Sequence, residues 1–351
     1  MSSKLKAAVL GATGSVGQRY VELLQGHPTF ELHEVVGSER SAGKTYEEAV
    51  DWRISATPPD QVRELPVKHP EEPIDSAVVF ASLPGGIARE TELRLAADGR
   101  FVFSNARDNR MADDTPLMIP EVNADHARAI ERQQKERGFN RGFVVTNPNC
   151  STIHLVLALK PLWDAFGIEQ CFVSTMQASS GAGYPGVASL DLIDNVVPFI
   201  GGEEEKIENE AKKLLGSFNG ADFEFADLAI SAQCSRVPVR HGHTETVALK
   251  LGKEASPSEA IEVLESFRGR PQELGLPSAP AQPIIVRSQE DRPQPALDRD
   301  VANGMASVVG RVRECPVLDL RFVVLGHNTV RGAAGASILN AEMLHADGYM
   351  S

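Results

Sequence analysis

Short apolar runs alternate with amphipathic stretches through the first 150 residues. Lys6 to Leu10, Phe30 to Val36, Ala77 to Leu83, Arg100 to Asn105 and Phe143 to Thr146 each read as a strand, β-branched or aromatic and bounded by turn residues. Helical segments lie between them, at Gln18 to Leu24, Ile87 to Asp98 and the charged stretch 124–140, which predicts a solvated helix. Strands alternating with helices predict a mostly parallel, doubly wound sheet. The loops after Leu10, Val36, Leu83, Asn105 and Thr146 should gather beyond the carboxyl ends of its strands, where such sheets bind ligands. Past Cys150 the pattern changes. An apolar helical run from Ile153 to Leu159 is followed by strands at 171–177, 244–251, 305–312 and 317–325 and by helices at 203–215 and 256–267. Proline-rich residues 272–296 read as an irregular crossing segment. A helix with a glycine- and alanine-rich start runs from 327 to about His345. Strands joined by short turns make this half α+β with a mixed or antiparallel sheet.

A chain of 351 residues has room for two such domains, and 42% apolar with 24% charged residues is ordinary for a globular protein. The formal net charge of −13 argues against nonspecific binding to nucleic acid. It also means that an anionic substrate would need a few well-placed arginines to overcome an unfavourable global field. The four cysteines, Cys150, Cys171, Cys234 and Cys315, contain no CxxC pair, so a reducing compartment is expected. Met1 to Lys6 shows no signal-peptide pattern, and no apolar run approaches the roughly 20 residues that span a bilayer. A cytoplasmic protein with no membrane partner is the expectation.

Two stretches carry chemistry. The first strand runs into Gly11-Ala12-Thr13-Gly14-Ser15-Val16-Gly17 and then a helix, the start of a dinucleotide-binding unit. The spacing is GxxGxxG, so the surrounding strand and helix carry the assignment more than the glycines do. After the second strand come Ser38, Glu39, Arg40, Ser41 and Lys44. Serines and cations suit a 2′-phosphate and point to NADP(H), with Glu39 as the contrary sign. The second stretch is Thr146-Asn147-Pro148-Asn149-Cys150-Ser151-Thr152. Asn-Pro-Asn breaks a strand, and Cys150 falls where a helix begins. Partial positive charge at a helix start favours thiolate, the nucleophilic form. A buried structural cysteine is the alternative that position alone leaves open. A nucleophilic cysteine beside a nicotinamide would imply thiohemiacetal and thioester chemistry.

Gly11 to Gly17, Asn147-Pro148-Asn149-Cys150, Gln177 with Ser180-Gly181-Ala182-Gly183, Arg236 seven residues before His243, and Asn328 to Gly335 occur in that order. Together they resemble the aspartate-semialdehyde dehydrogenases of the archaeal and fungal branch, over nearly the whole chain. The resemblance implies a Rossmann-type NADP-binding domain over residues 1–149, completed by the C-terminal helix 329–351, and a catalytic and dimerisation domain over 150–328. It implies Cys150 as nucleophile, His243 as acid–base catalyst and Gln177 orienting the acyl intermediate. Arg236 and Glu210 would hold the substrate's α-carboxylate and α-amino group, and Arg110, Asn149 and Lys213 its phosphate. Gly11, Thr13, Gly14, Ser15, Val16, Ser38, Arg40, Ser41, Ser82, Ser180, Gly181, Gly183 and Asn328 would line the cofactor site. A homodimer or homotetramer is implied, and no metal.

The implied reaction is the reversible, NADPH-dependent reductive dephosphorylation of aspartyl phosphate to aspartate semialdehyde, through a Cys150 thioester. It would serve the biosynthesis of lysine, threonine, methionine and isoleucine. An acyl phosphate is a reactive anion, so it calls for a thiolate and a cationic phosphate site. The Cys150 N–H is a candidate oxyanion donor, and an imidazole titrating near neutrality suits the proton transfer expected of His243. His241, on the same stretch, is its rival, and Arg107 is the rival of Arg110. A metal held by His241 and His243 is disfavoured because no third ligand lies at useful spacing. Cys171, Cys234 and Cys315 read as structural. N-acetyl-γ-glutamyl-phosphate reductase and malonyl-CoA reductase share this architecture and are the enzyme alternatives. A non-catalytic NADP-sensing protein is the alternative of another kind.

Overall fold

A computed structural model describes residues 4–350; Met1 to Ser3, part of the segment read for a targeting signal, and Ser351 lie outside it. The first sheet contains β1 (Leu5–Leu10), β2 (Phe30–Val36), β3 (Val67–Lys68), β4 (Val78–Ala81), β5 (Phe101–Ser104) and β6 (Phe143–Thr146), all parallel, in the order β3-β2-β1-β4-β5-β6. Every residue of β4, β5 and β6 is buried, as expected where helices cover both faces of a parallel sheet. Strand order reverses between β1 and β4. The turn after Leu10 and the segment after Ala81 therefore leave the sheet side by side, and the Ser82 N–H bonds the Leu10 carbonyl at 3.1 Å.

The second sheet is mixed. It contains β7 (Ile168–Ala178), β10 (Ala229–Val237), β11 (His243–Leu251), β12 (Ile284–Arg287), β13 (Ser307–Glu314) and β14 (Leu320–Gly326), in the order β10-β7-β11-β14-β13-β12. A small antiparallel pair, β8 (Ser217–Phe218) and β9 (Phe223–Glu224), stands apart from it. One face of this sheet packs on the helix Cys150–Phe166, whose residues Ser151 to Leu159 are all buried. A helix enclosed on all sides reads as a continuous apolar run, and this one does. The opposite face is more open, with Phe172 and Met176 pointing away from the core.

The last helix, Gly335–Ala346, returns to the first sheet, where Ile338, Leu339, Met343 and Leu344 pack with Tyr20, Phe80, Phe103 and Phe143. Its Glu342 accepts from His27 at 2.8 Å and from the Ser278 N–H and hydroxyl, fixing this helix to the β1–β2 connection. The expected plain helix start at 327–335 is instead a wide π turn, Val330–Ala334, in which Gly332 lies against Cys150. The charged stretch 124–140 is also shorter than expected, a 3₁₀ turn followed by the helix Ala129–Arg137, which ends at Gly138 in a left-handed conformation. The crossing segment 272–296 contributes β12 to the sheet edge.

A fully buried ion pair, Glu121 to Arg331 at 2.5 Å, joins the short helix Pro120–Asn123 in the β5–β6 connection to the π turn. Arg331 Nε and Nη1 have no other hydrogen-bond partner. Removing the carboxylate would strand a buried guanidinium. Glu121→Ala should therefore destabilise the fold by about 3–5 kcal/mol, read as a lowered urea midpoint at unchanged slope.

Candidate active site

The glycine turn is built for close approach. Gly11 has φ +71°, and a Cβ there would lie 2.7 Å from the Ser82 carbonyl oxygen. A Cβ on Gly17 would sit 2.0 Å from the Gly11 carbonyl oxygen, so the helix Ser15–Leu23 can press onto the turn only with glycine there. Gly14 stands at the N-cap and contributes no side-chain cap, which leaves the first N–H groups of a nine-residue helix for an anion. Thr13 takes part through its carbonyl, which accepts from Gln18. Ser38 and Arg40 are exposed on the turn after β2 and Ser41 is buried beneath them, its hydroxyl 3.4 Å from that of Ser38. The residues present thus fit a dinucleotide with an anionic group on its ribose. Ser82 bonds the Leu10 carbonyl and forms the floor under Gly11.

A cleft of about 760 Å³ runs from Ser15 and Val16 to Cys150. Ser180, Gly181, Gly183 and Asn328 line it. Asn328 donates to the Ser180 hydroxyl at 2.8 Å and accepts from the Gly242 N–H at 2.9 Å, tying this loop to the approach of β11. At the end of the cleft, Cys150 Sγ is 3.1 Å from His243 Nε2, and His243 Nδ1 accepts the Ala178 N–H at 2.9 Å. His241 is not a second candidate on the same strand face. It precedes β11, bonds the Ser180 hydroxyl at 2.9 Å and stacks on His327. No group of three or more metal-ligating side chains is found among the described residues.

The cations divide sharply. Arg236 lines the cleft and donates to the Ala178 carbonyl at 2.9 Å. Arg110 also lines it, held by Glu210 at 2.9 Å and by the Asn105 carbonyl at 2.7 Å, with its Nε unpaired. Arg107, its rival, lines the cleft too and is largely exposed. Lys213 is different. Its ammonium is buried and donates to the carbonyls of Arg110, Ala112 and Thr115, so it shapes the Arg110 loop and does not face the cleft. Glu210 is likewise 2% exposed and accepts from Arg110 and the Asn149 N–H.

The expected pair of acid and lysine therefore needs correction. Glu203 and Lys206 line the cleft, 2.9 Å apart, two helical turns before Glu210 and Lys213. Both pairs sit three residues apart on the helix Glu203–Leu215, and seven residues bring them to the same face. Sequence spacing gives each pair the same signature. Only the first is at the end of the helix that reaches the cleft.

Asn149 caps the Cys150 helix, accepting from the Ser151 and Thr152 N–H groups at 2.9 and 3.3 Å, while its amide donates to Glu203 at 2.6 Å. Its polar atoms are thus already engaged. Gln177 is buried on β7 opposite Arg236 and bonds Thr175 and Glu203. Cys171 and Cys234 are buried in the core of the second sheet, and Cys315 accepts from the Leu318 N–H in a turn.

The electrostatics correct two further expectations. Burial, reinforced by Glu203, pushes the Cys150 thiol up to about 12, against the opposing pull of Arg110 and Arg236. The helix-start field does not by itself yield a resting thiolate. Burial, with Arg236, His327 and His241 nearby, drives His243 down to about 3, so its imidazole is neutral at working pH rather than titrating near neutrality. Burial raises Glu203 as well, but Lys206, Asn149 and Gln177 hold it below the usual carboxylate range. Glu245, two residues after His243, is fully buried with both oxygens unpartnered, and burial holds it protonated well above that range.

Two family models match. The "Semialdehyde dehydrogenase, NAD binding domain" covers residues 6–130 and the "Semialdehyde dehydrogenase, dimerisation domain" covers 159–331. The chain is 53% identical to an aspartate-semialdehyde dehydrogenase of Archaeoglobus fulgidus, over 97% of this chain and 98% of that protein. It is 47% identical to one from Schizosaccharomyces pombe, over 98% and 99%. The crystal structure of the Candida albicans enzyme with NADP superposes with a TM-score of 0.91 at 41% identity, covering 99% of this chain and 100% of that one.

A thiol held up by burial gains thiolate steadily as pH rises. Alkylation of Cys150 by iodoacetamide, followed by peptide mass spectrometry, should accelerate about tenfold per pH unit from pH 7 to 9 without levelling. A plateau below pH 7 would instead indicate a resting thiolate.

Proposed function

The chain belongs to the aspartate-semialdehyde dehydrogenase family, and on that premise we propose that its Cys150 takes the acyl group of aspartyl phosphate, which is then reduced to aspartate semialdehyde. The reaction is NADPH-dependent and reversible, and it serves the biosynthesis of amino acids derived from aspartate. The observation that carries the reading is the 3.1 Å contact of Cys150 Sγ with His243, at the end of a cleft that starts at an uncapped glycine turn.

Each residue then has a chemical task. Gly11, Gly14, Ser15 and Val16 receive the pyrophosphate on helix N–H groups, and Ser38, Arg40 and Ser41 receive the 2′-phosphate. Ser180, Gly181, Gly183 and Asn328 border the nicotinamide end, with Thr13 and Ser82 supporting the turn. Bound there, NADPH supplies the hydride. Sγ attacks the acyl carbon and phosphate departs, leaving a thioester on Cys150. Arg236 pairs with the α-carboxylate in two-point fashion. Glu203, held ionised by its neighbours, takes the α-ammonium, and Gln177 positions Glu203 and the acyl group beside it. Arg110 and Lys206 take the phosphate. Lys213, Glu210 and Asn149 serve one step back: they set the Arg110 loop and cap the helix that carries Cys150.

The molecule works as a homo-oligomer in the cytoplasm. Supporting the first, the matched dimerisation domain exposes Phe172 and Met176 on one sheet face, with Leu190, Ile193 and Phe199 in the segment beyond β7. Among the described residues no helix is long and apolar enough to cross a membrane.

A steady-state assay with aspartate semialdehyde and phosphate should reduce NADP⁺ faster than NAD⁺, and Cys150→Ala should abolish it. Activity only with malonate semialdehyde and CoA, or an active Cys150→Ala protein, would sink the proposal. Lys206→Ala should lower kcat/KM for phosphate about 10- to 100-fold, the loss of one charged hydrogen bond. Lys213→Ala should act chiefly on stability, since its ammonium is bound by three carbonyls.

A further inference from the structure

A second cavity, of about 470 Å³, adjoins the catalytic cleft. Ser15, Ser180, Gly183 and Thr329 form the wall common to both. The other walls of this cavity are its own: Gln18 and Arg19 on the helix after the glycine turn, Arg53 and Ile54, the segment from Tyr184 to Leu192, and the approach to β11 from Pro238 to His241. Cys150, Arg236 and Glu203 line only the cleft. The volume lies within the range of small-molecule sites.

The charge of the cavity is one-sided. Arg19, Arg53 and Arg240 line it and no Asp or Glu does, in a chain with 48 acidic residues against 35 Lys and Arg. The carboxylates that touch these arginines stand outside it: Glu22 pairs with Arg19 at 2.5 Å and Asp51 with Arg53. Arg19 Nε is buried without a partner. Arg240 is exposed, and its one hydrogen bond among the described residues is a long one to the Arg53 carbonyl, at 3.4 Å. The opposite side is apolar, with Tyr184, Pro185, Leu192 and Pro238. Arg53 lies 3.8 Å over the Tyr184 ring and donates to its hydroxyl at 2.5 Å, so these two side chains hold each other in place. Guanidinium groups match the oxygens of phosphate and carboxylate. An amine or a zwitterion would bring an ammonium that no carboxylate of the cavity receives.

We propose that this cavity is a second ligand site, which takes a small organic anion, a phosphate or carboxylate on a compact apolar body, beside the bound cofactor. Arg240 and Arg19 face the anionic oxygens, and Tyr184, Pro185 and Leu192 cover the apolar body. The common wall links this site to the cleft. The Ser180 hydroxyl meets His241 at 2.9 Å on the cavity side and Asn328 at 2.8 Å on the cleft side. Ser15 opens the helix whose N–H groups receive the cofactor pyrophosphate. An anion held behind that wall repels the pyrophosphate, so each ligand weakens the other by the same factor. The weakening is finite because both are bound together. This linkage rests on the reading of the glycine turn as the pyrophosphate site; occupancy of the cavity does not.

Phenyl phosphate is a suitable probe, titrated into the full-length protein by isothermal calorimetry. It should bind with a Kd of about 0.1–1 mM, and still bind, a few-fold more weakly, when NADP⁺ and inorganic phosphate saturate the cleft. Phenol and benzylamine should not bind at the same concentrations. Arg240→Ala and Arg53→Ala should each weaken phenyl phosphate about tenfold or more. Both should keep the native kcat and KM for aspartate semialdehyde, since neither side chain lines the cleft. In the steady-state assay at saturating inorganic phosphate, phenyl phosphate should raise the KM for NADP⁺ about two- to fivefold to a plateau, an effect that Arg240→Ala loses. A KM that climbs without limit, or binding that disappears once the cleft is saturated, would put the probe in the cleft itself and overturn the proposal. Binding indifferent to both arginine substitutions, or absent at about 10 mM probe, would overturn it too. Binding as expected with an unmoved KM for NADP⁺ would uphold the cavity site and count against the linkage alone.

Discussion

Burying the start of the Cys150 helix is the constraint on which the rest of the site depends. Its first N–H groups lie away from water and must find partners inside the protein. Asn149 supplies an acceptor for two of them. Asn149 in turn is held at its own N–H by Glu210 and at its amide by Glu203. Glu210 also holds Arg110, and Lys213 braces the loop that carries Arg110. A single capping problem, solved with buried charged side chains, thus places Cys150, one cation of the cleft and one carboxylate in fixed relation.

The same burial explains the unusual protonation states. A thiol, an imidazole and a carboxyl enclosed together all move toward their neutral forms, because a low-dielectric surrounding penalises charge. Cys150, His243 and Glu245 follow that rule. Of the charges that persist at the site, Arg110 is paired with Glu210 and Lys206 with Glu203, while Arg236 is held by the Ala178 carbonyl. In a chain of net charge −13, the cleft thus gathers several cations around a thiol and an imidazole that carry no charge.

Much of this was legible from residue order. The strands of the parallel sheet are short apolar runs, and three of them are buried at every position, so pattern and structure coincide. The glycine turn and the Asn-Pro-Asn-Cys junction are local, and local sequence specified them. The pair Glu203 and Lys206 was not legible. It shares spacing and helix face with Glu210 and Lys213, and only the docking of the helix leaves its first turn lining the cleft and buries the later pair. The same holds for His241 and His243, since only the start of β11 separates a residue in the turn from one in the sheet.

The chain alone therefore determined the two kinds of sheet, the nucleotide turn, the position of Cys150 at a helix start, and the residue types the chemistry needs. These are properties of neighbours in sequence, set by side-chain periodicity and by the limits that glycine and proline place on the backbone. Tertiary packing decided which of two equivalent acid–lysine pairs faces the cleft, and that the Cys150 thiol and the His243 imidazole rest uncharged. It also decided that a main-chain N–H from β7 meets the ring of a histidine on β11. Those outcomes arise from contacts between residues tens of positions apart and from the exclusion of water by the assembled core. Neither leaves a mark in local pattern.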